Sequence, residues 1–346
     1  MKLGIFANAF RGYSLEETLE RIAKMGIEMV EFGVGEESGY VHLNPEELLV
    51  DKKKLQHVKD LLKNYGLKVS ALSTHGNPIS PRAAVRDLSV MRMQNAARLC
   101  QELEVDTING FSGCPGDCEG ADYASWVVTN WPEDYRRVLE WQWNEKLVPF
   151  WQEMIPFAKQ YGVEKFALEM HPGFLVYNPK TLKKLRADVG SAIGANLDFS
   201  HLLWHRMDPL MVIRELEGCI YHMHAKDMIF DDEEVMINGT LTTVDYPYRR
   251  ERPFNFRTMG YGHDMIFWKN IFAELRRVGY DYVASIELEC DLFNSVFGSE
   301  LSAEFMHMVL MKDDMNQHDK WLDTILVPGE SYQERYHTDN KAARRK

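Results

Sequence analysis

Short runs of apolar and β-branched residues alternate along the chain with longer segments whose apolar positions recur at helical spacing. Strands that alternate with helices form parallel βαβ units. Eight such units predict an α/β fold, a closed (β/α)8 TIM barrel, rather than an open sheet. The predicted strands are, in chain order, KLGIF, MVEFG, LKVSALST, VDTING, EKFALEM, GANLDFS, CIYHMHAKD and YVASIELEC. No GxGxxG follows the first of them, which removes the main support for a dinucleotide-binding sheet.

Local signals mark where helices begin and end. Ser14 followed three residues later by Glu17 is a capping box, and Gly26 is placed to end that helix. Further helical patterns predict helices over about 52–65, 84–104, 133–161 and 265–278, and another after Asp208.

Two segments do not fit a compact strand–helix repeat. The connection from about Met228 to His263 is too long for a simple turn and carries arginines among aromatic rings, so it is either a pocket lid or a partner-facing strip. The tryptophan-rich segment 126–151 either stacks on flat rings or packs on outer helices, and packing is favoured for Trp141 and Trp143. We expect one barrel domain over 1–326, followed by a polar tail at 327–346 that is flexible or docks on another subunit.

Composition narrows the class of protein. Apolar residues make up 45% of 346 residues, enough for a large core, and the net charge of −12 argues against nucleic acid as a partner. No run approaches a membrane span, and the N-terminus does not resemble a signal peptide. The five cysteines do not form a disulfide framework, and Cys114 and Cys118 are expected in a loop. These features predict a cytoplasmic protein without a membrane partner.

Four predicted strands in succession end on a residue that can bind a metal ion. Glu169, Asp198, His224 and Glu287 end the fifth to the eighth strand, and in a barrel these ends meet at one rim. Three carboxylates and one imidazole suit one hard or borderline divalent ion, such as Mn2+, Mg2+ or Co2+. The sequence therefore predicts a single metal site at this rim.

Alternation along the strands leaves one choice open. Glu287 and Glu289 point to the same face, and Glu287 is preferred because it directly follows the apolar run VASI. His222 and His224 also share a face, and His222 is expected one layer deeper as a buried, hydrogen-bonded histidine.

The strings ALEMHP, NLDFSHLLW, YHMHAKD, FRTMGYGHDMIFW and GYDYVASIELE resemble the xylose isomerase-like barrel superfamily of sugar phosphate isomerases and epimerases. The resemblance covers about residues 1–312 and implies that the four predicted ligands hold Mn2+ or a similar ion. More narrowly, THGNP, FSGCPG and EMHPGFLVYN resemble the α subunits of C-glycoside deglycosidases. That subgroup implies a sugar or glycoside substrate, an oligomer and a small β subunit.

The resemblance also implies a reaction. A divalent ion stabilises the enediolate that forms when a proton leaves the carbon beside a metal-bound sugar carbonyl. In such epimerases the two glutamate ligands, here Glu169 and Glu287, form the acid–base pair. A deglycosidase would instead eliminate the aglycone from a 3-oxo-glycoside. The alternatives are a ketose 3-epimerase, a sugar isomerase or an inosose dehydratase. A DNA-repair endonuclease of the same barrel type would need a trinuclear zinc cluster and a basic surface.

Residues beside the strand ends are candidates for further roles. His171 and His201 are either acid–base groups or orient a ligand through hydrogen bonds. Lys226 and Asp227 follow the HxH pair, where they either contact substrate oxygens or form a structural pair.

Other candidates lie on the remaining loops. His75 and Asn77 follow the third predicted strand and are expected to line the pocket opposite the metal. The resemblance implies that Arg257 binds substrate hydroxyls or a phosphate. His263, in the same loop, is a weaker substrate-binding candidate.

Overall fold

The computed structural model describes residues 1–35 and 40–313. Within these residues it contains β1 (Lys2–Phe6), β2 (Met29–Gly33), β3 (Lys68–Thr74), β4 (Thr107–Gly110), β5 (Lys165–Glu169), β6 (Ile193–Asp198), β7 (Ile220–Ala225), β8 (Asp227–Phe230), β9 (Phe254–Arg257) and β10 (Val283–Ile286). Eight parallel strands close into a barrel in the order β1-β10-β7-β6-β5-β4-β3-β2. The predicted (β/α)8 barrel is confirmed, with its eight strands on the eight predicted runs.

Helices surround this barrel. They are α1 (Leu15–Lys24), α2 (Pro45–Val50), α3 (Lys52–Tyr65), α4 (Ala83–Leu103), α5 (Glu133–Trp141), α6 (Val148–Lys159), α7 (Pro179–Val189), α8 (Phe199–Trp204), α9 (Pro209–Glu215), α10 (Asp232–Asn238), α11 (Met265–Arg277) and α12 (Ser295–Val309). A 3-10 turn, Ala7–Phe10, follows β1, and a π-helical turn, Gln142–Leu147, joins α5 to α6. None of the described helices is both long enough and apolar enough to cross a bilayer.

The start of α1 has the predicted capping box. The hydroxyl of Ser14 accepts a hydrogen bond from the Glu17 amide at 3.2 Å, and the Ser14 amide donates to a Glu17 carboxylate oxygen at 2.9 Å. The helix ends at Lys24, and Gly26 takes the left-handed conformation with φ +69.

The predicted helix 133–161 forms as a continuous helical segment from Glu133 to Lys159, with a π-helical turn in its middle. At the π-helical turn the buried Gln142 side chain donates to the carbonyls of Gly116 (2.9 Å) and Ser125 (2.7 Å). The irregular turn thereby anchors the loop that follows β4. Trp143 packs as expected, since it is 4% exposed and its indole donates to Asp188.

The long connection after β7 is not structureless. Its two ends pair as the antiparallel strands β8 and β9, with Asp227 opposite Arg257, and α10 lies between them. The parts that lack a helix or strand are mainly the segment between α10 and β9 and the segment between β9 and α11.

Apolar and polar side chains separate on the two faces of the barrel sheet. Outward residues such as Leu3, Phe32 and Leu197 pack in the hydrophobic core with the helices. The interior is polar instead, because hydrogen bonds link buried side chains of β2, β3, β4 and β10 across the barrel. The unit that contains the barrel runs from Met1 to Met311, and the predicted tail at 327–346 lies outside the described residues.

Ser14→Ala should lower the free energy of unfolding by about 1 kcal/mol, because the orphaned amide at the start of α1 loses its acceptor. Chemical denaturation monitored by circular dichroism measures this change. The exposed Ser191, whose hydroxyl has no hydrogen-bond partner among the described residues, provides the control Ser191→Ala. Equal stability of the two variants would contradict the role of the cap.

Candidate metal centre

Barrel closure brings the four predicted ligands together. Glu169 and Asp198 are the last residues of β5 and β6, His224 lies one residue before the end of β7, and Glu287 directly follows β10. Strand register aligns them, since His224 pairs with Asp198 on one side and with Ser285 on the other. One potential ligand atom from each of the four residues lies within 4.8 Å of the others.

The donor atoms of this quartet are directed at one another. The Nδ1 atom of His224 lies 3.1 Å from Glu169 Oε2 and 3.1 Å from Glu287 Oε2. Asp198 Oδ1 accepts hydrogen bonds from the amide and hydroxyl of Ser200 at 2.8 and 2.7 Å. Asp198 Oδ2 is buried and faces two nitrogen atoms, Lys226 Nζ at 2.9 Å and His201 Nε2 at 3.3 Å. A buried carboxylate oxygen in this position fits a divalent ion.

Lys226 compensates part of the negative charge. Its Nζ atom forms ion pairs with Asp198 Oδ2 at 2.9 Å, Glu287 Oε2 at 2.9 Å and Glu289 Oε2 at 2.8 Å. Burial by itself lowers the pKa of Lys226, but the negative charges of Asp198, Glu287 and Glu289 outweigh it and hold the pKa well above its ordinary value. The ammonium group is therefore a permanent positive charge at the site.

Histidines surround Glu169. His201 Nε2 lies 3.0 Å from Glu169 Oε1, and His75 Nε2 lies 3.6 Å from Glu169 Oε2. Burial raises the pKa of Glu169, but hydrogen bonds from His201, His224 and His75 outweigh it and keep the pKa well below its ordinary value. Glu169 is thus held as a carboxylate.

His171 lies next to His201, with ring centroids 4.1 Å apart. Burial, together with the charge of His201, lowers the pKa of His171 to about 3. Its Nδ1–H donates to the carbonyl of Pro172 at 2.5 Å, so in the neutral ring Nε2 carries no proton. His171 is therefore a hydrogen-bond acceptor or base near neutral pH, and not a proton donor.

A cavity of about 620 Å³ opens above the quartet. One wall is aromatic, since the rings of Phe111 and Phe174 stack at 4.1 Å and both line the cavity. Tyr246, from the long connection between β8 and β9, lines it as well, under the guanidinium of Arg252 at 3.9 Å. The predicted residues that line it are His75, Asn77, Glu169, His171, His201, Lys226 and Glu287.

Comparison with known proteins places the chain in a family. A family model described as a xylose isomerase-like TIM barrel matches residues 19–307. Uncharacterized protein YfiH of Bacillus subtilis (strain 168) is 32% identical over 315 residues, which cover 90% of this chain and 99% of that protein. The chain belongs to the xylose isomerase-like TIM-barrel family. This match confirms the superfamily resemblance of the sequence, and the narrower resemblance to deglycosidase α subunits stays a prediction.

Solved structures of the same fold include proteins of different names. The probable 3-DHS dehydratase AsbF of Bacillus anthracis superimposes with a TM-score of 0.61 at 18% identity, over 88% of this chain and 98% of that one. A D-tagatose 3-epimerase-like protein gives 0.59 at 21% identity, over 89% and 98%. The IOLI protein with a bound zinc atom gives 0.60 at 18% identity, over 89% and 98%. At these identities the likeness shows the barrel fold.

Two of the predicted substrate-binding residues, Asn77 and Arg257, make polar contacts within the protein itself. Asn77 exchanges hydrogen bonds with the backbone of Cys114, although it also borders the cavity. Arg257 donates to the carbonyl of Phe256 at 2.9 Å and lies 3.7 Å from Asp291. Arg257 is not part of the cavity lining, so its substrate role stays a prediction.

The Asp227 carboxylate accepts hydrogen bonds from a neighbouring loop. Its carboxylate accepts hydrogen bonds from the amides of Gly260, Gly262 and His263 at 2.9–3.1 Å, and from the His263 ring at 2.8 Å. These contacts favour a structural role for Asp227 over contact with substrate oxygens. They also hold His263 away from the cavity lining.

The structure distinguishes the paired residues of the two strand ends. Glu287 is a member of the quartet, whereas Glu289 is half exposed at the cavity rim and contacts Lys226. His222 is fully buried, with its Nδ1 atom 3.0 Å from Asn196 Oδ1 and its Nε2 atom 3.4 Å from Ser70 Oγ. This geometry agrees with the preference for Glu287 and with a deeper, hydrogen-bonded His222.

Sequence reasoning missed Glu31. This residue of β2 is fully buried beneath the quartet and faces His224. Burial raises the pKa of Glu31, but the charges of His224 and His222 outweigh it and lower the pKa. A signal was present, because a lone glutamate within the apolar run MVEFG is rarely buried without a partner.

Asp227→Asn should loosen the loop 258–264, because an amide cannot accept the same number of backbone hydrogen bonds. We expect about 1–3 kcal/mol less stability and faster exchange at the amides of Gly260, Gly262 and His263, measured by hydrogen–deuterium exchange. Asp264→Asn is the matched control, since asparagine caps α11 as well as aspartate does. Unchanged exchange at the three amides would refute the role of Asp227.

Proposed function

We propose that this protein is a divalent-metal-dependent enzyme that removes a proton beside the carbonyl group of a sugar or glycoside. The observation that carries the proposal is the quartet Glu169, Asp198, His224 and Glu287, whose donor atoms converge beneath an open cavity. Three carboxylates and one imidazole suit Mn2+, which stays our first choice, as well as Mg2+, Co2+ or zinc. A bound ion would supply Lewis-acid stabilisation of the negative charge that develops on the carbonyl oxygen.

The chain supplies the groups for proton transfer. Glu169 and Glu287 both border the cavity and are held as carboxylates, so each can accept a proton from a carbon atom placed between them. The Lys226 ammonium also borders the cavity and can donate a hydrogen bond to a substrate oxygen as charge accumulates there. His201, 3.0 Å from Glu169 and also at the cavity, can orient the Glu169 carboxylate.

We favour elimination from a 3-oxo-glycoside as the overall reaction. A carboxylate takes the C2 proton, the electron pair forms the C1–C2 double bond, and the bond from C1 to the aglycone breaks with protonation of the leaving group. The observation in favour is the aromatic wall of Phe111 and Phe174, since flat rings stack on such a surface. A C-glycoside deglycosidase α subunit, with a small β subunit in an oligomer, would act in this way.

A ketose 3-epimerase, a sugar isomerase or an inosose dehydratase is the second candidate. The two carboxylates Glu169 and Glu287 favour the epimerase among these, because inversion needs one group to remove a proton and another to return it on the opposite face. A probable dehydratase and a D-tagatose 3-epimerase-like protein both occur among the solved structures of this fold.

Glu169→Gln and Asp198→Asn should each abolish tight metal binding. Loss of an outer-shell partner already weakens metal affinity by about 10- to 100-fold, and loss of a ligand should cost at least as much. Isothermal titration of the metal-free protein with Mn2+, together with elemental analysis, measures the effect. The rim variant Glu289→Gln is the matched control and should keep the ion. Full occupancy in both ligand variants would exclude the quartet as the metal site.

Incubation with Mn2+ in D2O should distinguish the two reactions. With a 3-oxo-glycoside we expect release of the aglycone, detected by chromatography, and with a free ketose we expect none of the C3 epimer. Epimerised ketose without aglycone release would reject elimination and support the second candidate. If metal-loaded protein neither releases aglycone nor incorporates deuterium into any substrate of either class, the proposed proton abstraction is wrong.

A further inference from the structure

The two ring nitrogens of His224 face different carboxylates. Its Nδ1 atom is directed at the quartet, 3.1 Å from both Glu169 and Glu287. Its Nε2 atom points the opposite way, into the barrel, and lies 3.0 and 3.1 Å from the two carboxylate oxygens of Glu31. One nitrogen is thus available to an ion, and the other is held by a buried acid.

Glu31 is fixed by side chains from three other strands. Its Oε1 atom accepts hydrogen bonds from Ser73 at 2.5 Å and Asn109 at 2.9 Å, and its Oε2 atom accepts one from Ser285 at 2.7 Å. These donors leave Glu31 no freedom to turn away from His224. Since a carboxylate only accepts hydrogen bonds, the two Glu31 oxygens at 3.0 and 3.1 Å favour a proton on the Nε2 atom. The Asn196 Nδ2 atom, 3.2 Å from the same nitrogen, opposes them with a single, longer contact.

A second ion between Glu31, His222 and His224 is the competing explanation, because their donor atoms also lie within 4.8 Å of one another. The surrounding contacts oppose it. The hydroxyl and amide donors already occupy both oxygens of Glu31, and each ring nitrogen of His222 lies within hydrogen-bond distance of another polar side chain. Glu31 therefore fits a hydrogen-bonding role better than a ligand role.

We propose that Glu31 is a positioning residue that holds the His224 proton on Nε2 and so presents the Nδ1 lone pair to the metal ion. The inference rests on the proposed metal site and adds a residue beneath it. A metal-bound histidine commonly donates its second N–H to a carboxylate, which fixes the tautomer and the ring orientation. Here that carboxylate comes from β2, which β1 and β10 separate from the His224 strand β7 in the barrel.

Glu31→Gln tests this role. Glutamine keeps the size of the side chain, but its amide can donate to Nε2 and thereby favour the tautomer with the proton on Nδ1. We expect Mn2+ affinity to fall about 10- to 100-fold, measured by calorimetric titration of metal-free protein, with circular dichroism unchanged. In the Co2+-loaded protein we expect a changed visible absorption spectrum. Mn2+ affinity equal to that of the wild type would overturn the proposal.

Glu274→Gln is the matched control. Glu274 is also a buried glutamate, but it pairs with Arg214 and Arg277 on the outer helices and does not face the cavity. It should lose stability and keep its metal affinity. Equal loss of metal affinity in both variants would show that Glu31 acts only through general stability and would overturn the positioning role.

Nitrogen NMR of the wild-type protein provides a test that does not depend on the variant's folding. In protein labelled with 15N-histidine and loaded with Zn2+, the His224 ring should show a coordinated Nδ1 and a protonated Nε2. The signals are assigned by comparison with His224→Gln. Coordination through Nε2 would overturn the proposal. If the wild type takes up no ion at all, the proposed function itself fails, and the role of Glu31 fails with it.

Discussion

Negative charges that are buried close together repel one another, and the interior of this barrel depends on how that repulsion is balanced. The carboxylates of Glu31, Glu169 and Asp198 are buried, and that of Glu287 is largely covered at the floor of the cavity. Histidine rings and one lysine lie between them, and hydroxyl and amide groups bond the remaining oxygens. An uncompensated charge at this depth would cost several kcal/mol. Removal of one partner should therefore leave an uncompensated charge at the site.

The predicted metal site could be located from the sequence because it depends on strand ends. Once eight strand–helix units are recognised, Glu169, Asp198 and His224 must emerge at one rim, whatever the packing around them. The local signals at Ser14 and Gly26 were equally readable, since caps involve only neighbouring residues.

Contacts between distant parts of the chain could not be predicted in the same way. Glu31 meets Ser73, Asn109 and Ser285 only because the closed barrel places β2, β3, β4 and β10 around one axis. The hydrogen bonds of Gln142 at the π-helical turn similarly depend on carbonyl groups of a remote loop. Periodicity along the chain carries no information on such partners.

The polar interior has a consequence for how the protein can change. Side chains beneath the quartet share hydrogen bonds across several strands, so a single substitution there leaves several groups unsatisfied at once. Rim residues such as Tyr246 and Glu289 come from connecting segments and share fewer hydrogen bonds with the barrel strands. New substrate preferences should therefore arise by variation at the rim, while the layer beneath the quartet tolerates only coordinated, multiple replacements.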